Sequence, residues 1–120
     1  MIEKVIGRYS LILGITILGS WGMILFTGEI PEGRTEFAFH LFSEVLMSLS
    51  CIVAGALILK QHRLGRGVTM AAHGMVIYSV LNAAGYYAER EEWILPAVFV
   101  ILFLISSTII VLLIKRKGVL

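Results

Sequence analysis

One cysteine, two prolines and few charges mark this chain of 120 residues. The lone Cys51 excludes an internal disulfide, CxxC redox chemistry and a thiolate-rich zinc site within one chain. Charged residues make up only 15% of the sequence, against about 25% in an ordinary soluble domain. No DxD, HExxH, GxxxxGK(S/T) or GxSxG pattern occurs, so no motif indicates a cofactor, a metal or a nucleophile. The formal charge of +2 is too small to suggest a nucleic-acid partner. Acids are almost absent from the apolar segments, and the exception is Glu44.

What the chain has in excess is apolar surface. Hydrophobic residues account for 58% of it, and its mean hydropathy is +0.93. A core of 13.3 kDa cannot hide that much, so membrane lipid must cover it. Four apolar runs stand out, at about Arg8–Thr27, Phe37–Leu59, Val68–Ala88 and Trp93–Ile114. Each holds roughly 20 residues, enough for a helix to cross a hydrocarbon layer of about 30 Å. The joints carry turn residues and charge: Gly28 to Gly33, Lys60 to Gly67, and Glu89 to Glu92. Such short joints favour antiparallel neighbours. The expected fold is therefore an all-α integral membrane protein. Its single domain, residues 1–120, is an up-down antiparallel bundle of four transmembrane helices. The first run is longer than a signal-peptide core and lacks a small-residue cleavage site, so it is expected to remain as an anchor.

Charge orients the bundle. Lys4 and Arg8, then Lys60, Arg63 and Arg66, then Lys115, Arg116 and Lys117 fall on one side. Only Arg34 and Arg90 fall on the other, with Glu29, Glu32, Glu36, Glu89, Glu91 and Glu92. The positive-inside rule places both termini in the cytoplasm of a multi-pass protein of the cell membrane. Trp93, Tyr86 and Tyr87 suit an outer aromatic belt, and Tyr9 an inner one. In size and span number the chain is similar to the small multidrug transporters, some of which insert both ways. Their essential glutamate lies in the first helix. Here no glutamate occurs between Arg8 and Thr27, and the charge bias opposes dual insertion. The resemblance is one of size, and no function follows from it.

An acid inside a bilayer costs roughly 2.5–3.5 kcal/mol on insertion scales, so Glu44 needs a partner, a proton or a purpose. Helix rise places it about 6 Å outward of the midpoint of its span, with His40 about 12 Å outward. The same arithmetic puts Asn82 level with Glu44 and Tyr86 level with His40 on the third span, and Trp21 slightly outward in the first. On the second helix His40, Glu44, Met47, Cys51 and Gly55 share one face. On the third, Gly67, Ala71, Gly74, Tyr78, Asn82 and Gly85 share another. The first helix adds Ser10-x-x-x-Gly14 and the cluster Gly19, Ser20 and Gly22. Small residues let helices approach closely in lipid. The expectation is a bundle packed tightly in its inner half and opened in its outer half by a polar cluster. That cluster comprises His40, Glu44, Tyr78, Asn82, Tyr86 and Trp21, with Glu44 contacting Asn82 or Tyr78. His73 lies about 19 Å from His40 along the bundle, which disfavours a bis-histidine haem within one chain. It is expected to bond a neighbouring helix. Ser106, Ser107 and Thr108 are expected to bond carbonyls one turn back, Cys51 to pack, and His62 to be solvated.

Four functions fit these features. The first is binding or transport of a small ligand or proton at the outer polar cluster. The second is service as a structural or accessory subunit of a larger membrane complex. A membrane enzyme acting on a lipid or quinone, and a metal site completed by oligomerisation, follow. Four helices enclose little more than their own side chains, so a transporter of this size is expected to be a homo-oligomer.

Overall fold

The computed structural model describes residues 1–28 and 33–115. It contains four helices: α1 (Ile2–Thr27), α2 (Arg34–Leu59), α3 (Gly65–Glu89) and α4 (Ile94–Lys115). All four are long and apolar enough to cross a membrane. The long axis of the molecule is 45 Å, which matches a bilayer of about 40–45 Å with its headgroup regions. Helices α1, α2 and α3 begin three to six residues earlier than the apolar runs, and α4 begins one residue later. Apolarity marks what lipid must cover, while backbone hydrogen bonding carries a helix on into the polar layer. The joint residues Glu29, Ile30, Pro31 and Glu32, and the basic Arg116 and Lys117, lie outside the described residues.

Successive helices pair start to end. Ile6 near the start of α1 clusters with Ile58 at the end of α2 and with Ile109 and Leu113 at the end of α4. Arg66 in the first turn of α3 donates from Nε to the Leu113 carbonyl of α4 at 2.7 Å. It thereby satisfies an acceptor that a helix end would otherwise leave bare. The two described joints are built alike. Gln61 N–H donates to the Ile58 carbonyl and His62 N–H to the Leu57 carbonyl. Glu91 N–H donates to the Ala88 carbonyl and Glu92 N–H to the Tyr87 carbonyl. Each is a Schellman motif with a left-handed residue, at φ 55° for Gln61 and 61° for Glu91, where glycine is the usual occupant. Pro96 sits in the first turn of α4, where its missing donor leaves no bond unmade.

Burial is uneven along the bundle. On α1 the buried residues are Ile6, Gly7, Ser10, Leu13 and Gly14, with none beyond. On α3 they stop at Val80. The core cluster of Leu13, Met47, Cys51, Ala54, Ala72, Val76 and Val80 runs from that half into the middle of the bundle. The half that holds the start of α1 is the more tightly packed one, while Phe37 and Pro96 are buried in the other. Backbone contact between α1 and α2 creates the tight half. A Cβ built on Gly14 would stand 2.6 Å from the Ser48 carbonyl oxygen, and one on Gly55 would stand 2.6 Å from that of Gly7. By contrast Gly19 and Gly22 have no neighbour within 4 Å, so that cluster does not mark a helix contact.

The α3 stripe departs further from expectation. Gly67, Ala71, Gly74, Tyr78, Asn82 and Gly85 are all exposed. A Cβ at Gly67, Gly74 or Gly85 would touch nothing within 4 Å. The stripe faces out of the bundle, and α3 packs inward through Thr69, Ala72, His73, Val76 and Val80 instead. Periodicity identified a face correctly but assigned it to the wrong side.

Two stability changes follow. Gly14→Val should cost about 1–3 kcal/mol by overpacking against an immovable carbonyl, whereas Gly22→Val should leave the unfolding midpoint in detergent nearly unchanged. Gln61→Gly should raise stability by about 1 kcal/mol by relieving a left-handed conformation; no gain would show that the joint is otherwise constrained.

Candidate functional site

The residues proposed for the outer half divide into three groups. Glu44 is half-buried on α2, and its Oε2 accepts a hydrogen bond from Ser79 Oγ on α3 at 2.8 Å. Its own backbone carbonyl accepts from Ser48 Oγ at 2.8 Å. The expected contact to Asn82 or Tyr78 is replaced by this one. Ser79 lies between the outward stripe and the packed face of α3, so it is the hydroxyl that meets α2. No feature of the sequence distinguished it from other membrane serines.

Trp21 of α1 and His40 of α2 form the second group. Their rings meet edge to face at 5.0 Å, and Trp21 also lies 6.1 Å from the Phe37 ring. His40 is one turn outward of Glu44 on the same face. Along that face exposure falls steadily inward: His40 is exposed, Glu44 is half-buried, and Met47, Cys51 and Gly55 are buried. One turn beyond His40 the same face is covered again at Phe37, which is buried beside Trp21.

Tyr78, Asn82 and Tyr86 make the third group, and they do not join the other two. Tyr78 is 73% exposed on the outer face of α3, and Asn82 is exposed on that face too. Tyr86 carries the Arg90 guanidinium 3.6 Å above its ring, and its carbonyl accepts from Arg90 Nη1 at 2.9 Å. It also meets Tyr87 edge to face at 5.1 Å. This aromatic cluster closes the end of α3 rather than lining a cleft with Glu44.

The buried polar centre lies elsewhere, in the tight half. His73 is fully buried. Its Nε2 bonds Ser10 Oγ on α1 at 2.8 Å, and its Nδ1 bonds Ser106 Oγ on α4 at 2.8 Å. A neutral imidazole donates from one nitrogen and accepts at the other, so one serine accepts and one donates. The Tyr9 ring stacks on the imidazole at 5.9 Å. Its hydroxyl is buried and unbonded among the described residues, as is Thr69 Oγ1. Tyr9 is accordingly a packing partner of His73. The expectation that His73 bonds a neighbouring helix is met twice over. Ser106 was expected to bond its own helix and instead crosses to α3, while Thr108 does bond the Leu104 carbonyl one turn back at 2.8 Å. Cys51 packs in the core. His62 is exposed, and its Nδ1 accepts from the Leu64 N–H at 3.1 Å.

No group of three potential metal ligands converges among the described residues. A groove of about 340 Å³ between α1 and α4 is lined by Val5, Ile6, Tyr9, Ile105 and Ile109 among others. Its walls are almost wholly apolar, so it offers lipid a surface but no reacting group. Among the described residues Glu44 carries the one carboxyl group in the interior of a span.

A family match covers nearly the whole chain, at residues 1–119. The chain belongs to the family described as a domain of unknown function, DUF8058. No curated protein and no solved structure matches it.

His73→Leu should lower unfolding stability by about 1–3 kcal/mol, because Ser10 and Ser106 would keep buried hydroxyls without their partner. Adding Ser10→Ala and Ser106→Ala should recover part of that loss. Equal midpoints for wild type and His73→Leu in detergent unfolding would show that the bonds contribute nothing net.

Proposed function

We propose that this DUF8058 chain is a multi-pass protein of the cell membrane that binds or transports a proton or small ligand at Glu44. Both termini face the cytoplasm, and the splayed end of the bundle faces outward. The observation that carries the proposal is the position of Glu44: inside an apolar span, half-buried, held by Ser79 alone among described side chains, and one turn from the exposed His40.

Chemistry supports this position. An acid inside an apolar span, half-buried and one turn from an exposed residue, is placed to meet a proton or a cation. The Ser79 hydroxyl donates to the carboxylate and equally accepts from the acid form, so it orients Glu44 in both states. His40 and Trp21 stand one turn outward, on the path a solute would take. A small cation is the ligand class that a carboxylate best matches. Tyr78, Asn82 and Tyr86 are assigned no part in it.

A second reading, a structural or accessory subunit of a larger membrane complex, is favoured by the unpartnered α3 face. Under it Glu44–Ser79 only fastens α2 to α3. Glu44→Gln separates the two, because the amide oxygen still accepts from Ser79 but cannot titrate. In reconstituted vesicles the change should abolish proton or cation movement while the unfolding midpoint stays within about 1 kcal/mol of wild type. Undiminished movement in Glu44→Gln would refute the site; a collapse of folding would favour the fastening role.

A further inference from the structure

The outer faces of three helices suit lipid. They carry Ile12, Ile15 and Met23 on α1, Phe39, Phe42, Leu46 and Val53 on α2, and Val100, Ile101 and Leu104 on α4, all exposed. The outer face of α3 is different in kind. It presents Gly67, Ala71, Gly74, Tyr78, Asn82 and Gly85, and α3 is the least apolar of the four spans. Glycine and alanine give lipid chains little to pack against. The Asn82 amide makes no hydrogen bond among the described residues and lies well inside a span. Lipid offers such a group no donor or acceptor, and leaving it unmatched costs several kcal/mol on transfer scales.

We propose that this face is the contact surface for a second copy of the same chain, with two α3 helices packed about a two-fold axis along the bundle. Three properties of the face select a copy over a different protein. It carries no formal charge, so two identical faces do not repel. Its polar groups are self-complementary: an asparagine amide both donates and accepts, and Asn82 pairs with Asn82 of the second copy. Its small residues, Gly67, Ala71 and Gly74, align at spacings of four and three, so a helix with the same stripe approaches closely at the same level. Two copies inserted the same way, crossing at about 20°, keep equal positions within side-chain reach along the stripe. Nothing inside the monomer must move, because no atom lies within 4 Å of a Cβ at Gly74 or Gly85. The proposal stands apart from any role for Glu44.

The test uses the full chain in mild detergent and in vesicles. Native mass measurement should give a dimer for wild type, and Gly74→Leu with Asn82→Leu should shift it to monomer. The unfolding midpoint of the dissociated monomer shows that each variant still folds. Oxidative cross-linking in a Cys51→Ser background gives an independent reading. Gly74→Cys should join two copies at least tenfold more efficiently than Ile101→Cys on the outer face of α4. A monomeric wild type, preferential cross-linking through position 101, or a different protein bound stoichiometrically to the α3 face would each overturn the proposal.

Discussion

A buried imidazole in an apolar span has to find its hydrogen bonds inside the protein, and this requirement sets where the helices close. His73 meets it by drawing Ser10 of α1 and Ser106 of α4 to opposite sides of one ring. Three helices are thereby fixed at one level. The fourth is held to α1 by backbone contact at Gly7, Gly14 and Gly55, where no side chain larger than hydrogen fits. Hydrogen bonds between membrane helices average only about 0.6 kcal/mol in measured cases, so the network contributes more to register than to strength. Close packing around it adds the dispersion contacts that lipid does not replace.

Beyond the His73 network the bundle is held by aromatic pairs instead, Trp21 with Phe37 and His40, and Tyr87 with Phe99. Connections at the ends of α2 and α3 are tight Schellman turns, yet burial on α1 ends at Gly14 and on α3 at Val80. Glu44 occupies the boundary. Deeper, Met47 and Cys51 are buried; one turn the other way His40 is exposed. The Ser79 contact holds it against α3. The α3 outer face belongs to the same economy of small residues. Its stripe and the α1–α2 glycines are chemically alike, but only the latter are satisfied within one chain.

Much of the architecture was legible because membrane spans obey few rules. Length, apolarity and short charged joints produced four helices in the right places. Helix periodicity placed His40, Glu44, Met47, Cys51 and Gly55 on one face, and the gradient from exposed His40 to buried Cys51 follows it. What periodicity does not carry is the direction in which a face points. On α3 it grouped Tyr78 and Asn82 with the small residues and turned them inward, whereas the opposite face holds His73 and packs. Depth arithmetic paired Glu44 with a residue level with it on the next helix, but rotation selected Ser79. Serine suits a core, a lipid-facing bond to its own backbone or a cross-helix bond equally well, so neither Ser79 nor Ser106 announced its role. The joint residues 29–32 and the basic end beyond Lys115 contribute to the charge bias but fall outside the described residues.

The central claim is that one end of this bundle is sealed around His73 and the other admits water from outside as far as Glu44. Labelling with a membrane-impermeant thiol reagent tests it directly. Native Cys51, fully buried beside the sealed half, should stay unmodified from either side of intact vesicles. His40→Cys and Glu44→Cys in a Cys51→Ser background should both be modified, and only from the side opposite the termini. Ready modification of Cys51, or inert thiols at positions 40 and 44, would contradict the account.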